Sequence, residues 1–323
     1  MSAINNTLEE IAERIIRAKS AVILTHMGPD GDAIGSALAL SRALDVLGIE
    51  NSVSDESDIP SNLSFLTGTE KLGKTLFKKA DLYIAVDSAD EQRLGALADD
   101  FRAVSRKKDT VNIDHHVSNT RFAKYNYVRE CSANCMNIAA LVEKLGVPLD
   151  KELAQYLLLG LLTDSGNFSH DDVTEETFLT AAKLVKAGAD IRWLNYNLFK
   201  KQSAVRAALF ADTMSRIRYF FEGKFAAIVI SREVMKKFGA DNGMTEGFVD
   251  FPLSVDTVEV CASVMEVKKG QYKISLRSKN YADVNKVAGT YGGGGHVRAA
   301  GCMLFGEIED VLDRLSYTVS QYL

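Results

Sequence analysis

In the segment THMGPDGDAIGS, residues 25–36, an imidazole and two carboxylates fall within seven positions: His26, Asp30 and Asp32, separated by Gly28, Pro29 and Gly31. Glycine and proline bend a backbone enough for several side chains to converge. Such convergence is the start of a metal site, although a polar turn in which Asp32 only caps the following helix fits as well. Three more segments end in the same chemistry. DLYIAVDSAD (81–90) runs into Asp87, TVNIDHHVSN (110–119) into Asp114, His115 and His116, and LLLGLLTDSGNF (157–168) into Asp164. Singly, Asp87 also reads as a helix cap and Asp164 as a polar helix end. Two adjacent histidines are harder to place as filler, because each buried ring would need a partner. Together His26, Asp30, Asp32, Asp87, His115 and Asp164 match the inventory of a binuclear centre. Two cations about 3.5–4 Å apart can activate water and stabilise a leaving oxygen in phosphoryl hydrolysis. Mixed carboxylate and imidazole ligands favour two Mn²⁺ over Mg²⁺, with zinc or iron also compatible by ligand type.

A second signal is YGGGGHVRAAG, residues 291–301, where four glycines let backbone N–H groups approach an anion closely and His296 follows directly. Upstream, Arg277 in SLRSK can contact a phosphate in bidentate fashion.

The elements that must carry these residues differ between the two ends of the chain. Apolar strands at 21–24, 81–86 and 110–113 alternate with helical patterns at 33–47, 91–101, 134–145, 151–162 and 174–187. That alternation predicts an α/β domain, a mostly parallel sheet with helices on both faces. One helical pattern spans 191–217 and reads as a linker. Beyond it, hairpins at 219–230 and 257–277, a helix at 284–289, a strand near 300–305 and a final amphipathic helix predict a smaller α+β domain. The expected organisation is a catalytic domain over 1–190, a helical linker over 191–217 and a substrate-binding domain over 218–323.

Composition narrows the function. The 323 residues exceed one typical domain, and a net charge of −5 argues against a binder of long nucleic acid, which must neutralise many phosphates. A substrate with two or three phosphates remains compatible. No apolar run is long enough to span a membrane. The four cysteines are too scattered for a disulfide framework, and Cys131 and Cys135 read as free thiols rather than half a zinc site, so a cytoplasmic protein is expected. Four of the five histidines lie within the motifs above, while His170 belongs to none and reads as surface or substrate rim.

HMGPDGD, AVDSAD, IDHH and LLTDSG resemble the four motifs of the DHH phosphoesterase family, in that family's order. The resemblance implies that His26 and Asp30 hold one Mn²⁺, that Asp32, His115 and Asp164 hold the other, and that Asp87 bridges them. It implies that His116 faces the substrate phosphate, that Asp114 orients the histidine pair, and that no serine or cysteine nucleophile is needed. The RSK and GGGGH elements are similar to the DHH-associated C-terminal domain, which makes Arg277, Ser278, Gly294, Gly295 and His296 the implied substrate-binding residues. Within the family the chain is most similar to the nanoRNase/pAp phosphatase group. That group's substrates would be di- to pentaribonucleotides including pApA, with dephosphorylation of 3′-phosphoadenosine 5′-phosphate (pAp) as a second activity, and a homodimer is implied. A dedicated phosphodiesterase for linear or cyclic dinucleotides would use the same metal site. A non-catalytic nucleotide sensor would have no need of six metal-binding side chains.

Overall fold

The computed structural model describes residues 5–54, 60–73 and 79–323, in two units, Met1–Lys201 and Gln202–Leu323. In the first, helix α1 (Leu8–Arg17) opens on a Thr7–Glu10 capping box and is followed by β1 (Ser20–Leu24) and α2 (Gly31–Val46). Then come β2 (Glu50–Ser54), β3 (Leu72–Gly73), β4 (Leu82–Val86), α3 (Ala98–Ser105), β5 (Asp109–Asp114) and β6 (Tyr125–Val128). Helices α4 (Asn134–Lys144), α5 (Lys151–Asp164), α6 (Glu175–Lys186) and α7 (Ile191–Asn195) complete it. All six strands are parallel, in the order β3-β2-β1-β4-β5-β6.

Alternation along the strands shows why both faces are covered. Ala21, Ile23, Leu82, Ile84 and Val86 join the core under α1, α2, α4 and α5, whereas Val22, Leu24, Tyr83 and Ala85 pack with Leu94, Leu97 and Phe101 on the other side. A strand buried on both faces must be apolar throughout, as β1 and β4 are. Between β1 and β4 the direction of winding reverses, and at that switch point open α/β sheets leave a crevice at the strands' carboxyl ends.

The second unit contains α8 (Ala204–Met214), β7 (Arg218–Phe220), β8 (Phe225–Ile230), α9 (Arg232–Phe238), β9 (Val260–Lys268), β10 (Gln271–Ser278), α10 (Val284–Gly289), β11 (Gly294–His296), β12 (Ala299–Phe305) and α11 (Ile308–Ser320). Its sheet runs β11-β12-β10-β9-β8-β7, antiparallel except for the β8–β9 pair. Both expected hairpins are present.

Two helical expectations are corrected. The stretch 91–101 begins as a 3₁₀ segment, Glu91–Leu97, because Gly95 at φ 59°, ψ −131° breaks it before α3 starts. The single helix expected over 191–217 is interrupted: after α7 a π-turn covers Tyr196–Lys200, Lys201 is extended, and Ser203 caps a new helix, α8. No helix among the described residues is long and apolar enough to cross a membrane.

Candidate active site

Three neighbouring strands deliver the first polar groups. His26 lies two residues beyond β1, Asp87 follows β4, and Asp114, His115 and His116 stand at the end of β5. Asp32 and Asp164 come from helices, one at the start of α2 and the other at the end of α5. These helices approach closely because small residues face each other. A Cβ on Gly160 would lie 2.3 Å from Cys135 Sγ and 2.5 Å from Asp32 Oδ1, so an alanine there would push Asp32 out of place.

The side chains form overlapping clusters. His26, Asp30 and Asp87 offer ligand atoms within 4.8 Å of one another, as do Asp32, His115 and Asp164, and the group Asp87, Asp114, His115 and His116 overlaps both. Asp87 touches both sets: its Oδ2 is 3.8 Å from His26 Nε2, and its Oδ1 is 3.3 Å from His115 Nε2. His115 Nε2 is also 3.4 Å from Asp164 Oδ2. Asp87 Oδ1 is buried and, among the described residues, has no hydrogen-bond partner. A buried carboxylate oxygen without a donor is costly unless a cation or proton meets it. The residue also sits at φ +54°, a left-handed conformation that aspartate tolerates and that concentrates at functional sites. The donor set therefore fits divalent-metal binding.

The imidazoles are held from behind. His115 Nδ1 bonds the Cys131 carbonyl at 2.8 Å, and His26 Nδ1 bonds that of Met27 at 3.0 Å, leaving Nε2 of each ring toward the carboxylates. His116 Nδ1 is bound to Asp114 Oδ1 at 2.8 Å. Asp114 is buried and is itself held by Asn119, whose amide donates to Oδ2 at 2.6 Å. Asp114 thus orients His116 alone through its side chain, while a backbone carbonyl orients His115. Asn119 was missed in the sequence, where its only signal is its place at the end of DHHVSN.

The capping roles of the first loop are also distributed differently from expectation. Asp30 caps α2, with Oδ1 accepting from the N–H groups of Asp32 at 3.0 Å and Ala33 at 3.1 Å. Asp32 reaches across to α4, whose N-cap residue Ala133 offers no side-chain acceptor. It accepts from Asn134 N–H at 2.5 Å and Cys135 N–H at 2.9 Å. A carboxylate at a helix N-terminus is well placed electrostatically. Asp32 therefore ties two helices together as well as facing the cluster.

Crowded acids titrate abnormally here. Burial, with the charges of Asp87 and Asp164, pushes Asp32 well above the usual carboxylate range. Burial also raises Asp164 to about 7. Burial alone would lower His115, but the Asp87 carboxylate 3.3 Å away and the charge of Asp32 raise it to about 10. Burial would raise Asp114, but bonds from His116 and Asn119 outweigh it and hold that carboxyl low. His170, outside the motifs, bonds the Asp164 carbonyl through Nδ1 at 2.7 Å and is exposed. Cys131 and Cys135 are free thiols.

In the second unit the register of the sheet aligns two of the expected residues. Arg277 pairs with Ala299, and Ala299 with His296, so Arg277 and His296 share a row on one face. Arg277 Nε lies 3.4 Å from Asp250 Oδ1. Gly294 and Gly295 lie in the edge strand β11 rather than in a free loop. An edge strand presents backbone N–H groups outward, so donors remain available. The neighbouring Gly293 must be glycine, since a Cβ there would meet the Gly301 carbonyl oxygen at 2.1 Å. Ser278 is not brought to this face: strand alternation turns it inward, where its hydroxyl donates to the Ala282 carbonyl at 2.7 Å. Arg298 donates to the carbonyls of Ala282 and Asn280.

The loop after Arg277 is set by buried Glu259, which accepts from the backbone N–H groups of Asn280, Tyr281 and Ala282. Burial raises the Glu259 carboxyl, but those bonds outweigh it and hold the carboxyl below its ordinary value of 4.5. The stabilisation is therefore complete above that ordinary value and is lost as the pH falls through the depressed one. Replacing Glu259 with glutamine should cost about 2 kcal/mol at pH 7. The penalty should stay level from pH 7 down to about 4.5 and shrink only below that, as read from urea midpoints of both proteins.

Comparison with known proteins bears on this arrangement. A family model described as the DHH family, N-terminal domain, matches residues 20–161, and the DHHA1 domain matches residues 223–323. A bifunctional oligoribonuclease and PAP phosphatase NrnA from Thermus thermophilus is 32% identical over 307 residues, covering 93% of this chain and 89% of that protein. The crystal structure of an exopolyphosphatase-related protein from Bacteroides fragilis superposes with a TM-score of 0.83 at 25% identity, covering 98% of this chain and 96% of that one. That of exonuclease RecJ bound to manganese shares the fold, with a TM-score of 0.52 at 15% identity over 100% of this chain and 95% of that one.

Proposed function

We propose, from the premise that this chain belongs to the DHH phosphoesterase family, that it is a metal-dependent hydrolase of very short oligoribonucleotides, di- to pentanucleotides including pApA, releasing mononucleotides, and that it dephosphorylates pAp to AMP. The observation that carries the reading is Asp87, wedged between His26 and His115 with a buried oxygen that no donor among the described residues meets. His26, Asp30 and Asp87 would hold one divalent cation, and Asp32, Asp87, His115 and Asp164 the other, with Mn²⁺ the best match to mixed nitrogen and oxygen donors. When bound, such a pair supplies an activated water and neutralises charge on the phosphoryl oxygens.

The chain's own groups do the rest. His116, with Nδ1 fixed by Asp114, directs Nε2 outward and can donate to a phosphoryl oxygen or to the departing oxygen. The Asp114 bond raises the His116 pKa, which keeps that proton available near neutrality. Arg277, His296 and the backbone of Gly294 and Gly295 would bind the remaining phosphate and sugar of the substrate. Ser278 then acts by shaping the loop from inside.

A parallel assay with Mn²⁺ on pApA, pAp, cyclic di-AMP and pyrophosphate tests the reading. Turnover of pApA and pAp, with little on the other two, is expected; exclusive turnover of the cyclic dinucleotide would overturn it. The Arg277–Asp250 contact adds a signed prediction. Arg277→Ala should raise KM for pApA about tenfold with kcat nearly unchanged, as loss of ground-state binding does. Asp250→Asn, which frees the guanidinium, should lower KM.

A further inference from the structure

The face of the C-terminal sheet that bears Arg277 also borders a cavity of about 430 Å³, between β9, β10 and the segment 242–249. Tyr272, Ile274 and Leu276 are buried, so alternation puts Lys273, Ser275 and Arg277 together on the opposite side. The volume falls in the range of small-molecule sites. Its lining is mixed in a particular way. Lys273 is exposed, and among the described residues it carries no ion pair. Ser263 and Ser275 supply hydroxyls, Glu246 a carboxylate, and Met265 an apolar, polarisable wall. A cation suits a phosphate, a carboxylate and hydroxyls suit a ribose or a base amine, and a thioether suits a ring face. A bare anion would have no use for Glu246 or Met265.

Lys273 and Arg277 are four residues apart on one strand, which separates their backbones by about 13 Å. That spacing suits two phosphates of one chain better than two grips on a single phosphate. We propose that this cavity is a subsite for the nucleotide next along the chain from the one whose phosphate Arg277 holds, with Lys273 contacting the phosphate of that next nucleotide. The subsite rests on the reading of the protein as a hydrolase of short nucleotide chains, and it makes Lys273 a determinant of preferred chain length.

The test is the ratio of kcat/KM on pApApApA to that on pAp, measured with Mn²⁺ for the wild type, Lys273→Gln and Lys273→Arg. Lys273→Gln should lower the ratio about tenfold, the equivalent of about 1.4 kcal/mol, and through KM rather than kcat. Lys273→Arg, which keeps the charge, should leave the ratio near that of the wild type. If the wild type turns over both substrates and Lys273→Gln leaves the ratio unmoved, the subsite is wrong and the hydrolase reading stands. An equal fall in Lys273→Arg also overturns it. If the wild type turns over neither substrate, the hydrolase reading falls and the subsite with it.

Discussion

Asp87→Ala is expected to lower kcat/KM roughly a thousandfold or more on pApA and pAp alike, because the substitution removes the carboxylate that lies within 4 Å of both His26 and His115. Loss of Asp30 or Asp164, each in a single group, would leave part of the site formed. Among the described residues Asp87 alone approaches His26 on one side and His115 on the other, with His116 Nδ1 at 3.8 Å from its Oδ1. Asp87→Asn sharpens the prediction, since it keeps the shape and the left-handed backbone while removing the charge. The metal-free fold should survive it. Loss of attraction to His115 is offset by relief of repulsion with Asp32 and Asp164, so the unfolding temperature without metal should stay within a few degrees of wild type. An Asn variant that folds normally and retains a tenth of wild-type turnover would show that Asp87 is not the shared group.

Much of this site could be read in the sequence for a reason rooted in sheet geometry. Parallel strands buried on both faces must be apolar, so an acid or histidine at their end stands out, and adjacent strands bring those ends together. The parts that escaped reading rest on pairings across the chain. Glu50–Ser54 and Tyr125–Val128 are strands with polar positions, and no periodic pattern marks them. The exchange of caps, with Asp30 on α2 and Asp32 on α4, depends on how α2 lies beside α4, 102 residues away in sequence. Ser278 is different, since it could have been excluded: if Arg277 faces outward on a strand, its neighbour must face inward. Of the four glycines, Gly294 and Gly295 form the edge strand β11, and Gly293 beside them lies too close to the Gly301 carbonyl for any side chain.

Removing divalent ions should abolish turnover, and returning Mn²⁺ should restore it together with a rise in unfolding temperature that depends on pH. The reason is the proton inventory of the metal-free cluster. With His115 raised to about 10, its ring is charged at pH 7, and Asp164, at about 7, is half protonated. Cations need neutral imidazole and ionised carboxylates, so binding must expel these protons. Calorimetry in two buffers of different ionisation enthalpy should show at least one proton released per protein at pH 7. For stability the sign follows from the acids. Asp32 and Asp164 titrate above their unfolded value of 3.8, so the stability tied to their protonated forms is complete below that value and is lost as pH rises through the raised ones. Between pH 6 and pH 8 the metal-free protein therefore weakens while the metal-bound protein does not. At a Mn²⁺ concentration a thousandfold over Kd, the stabilisation is about 4 kcal/mol, or about 10 °C for a unit of this size. That shift should be smaller at pH 6 and larger at pH 8. A shift equal at both pH values, with no buffer dependence in the heat, would mean that the ions bind somewhere other than among His115, Asp32 and Asp164.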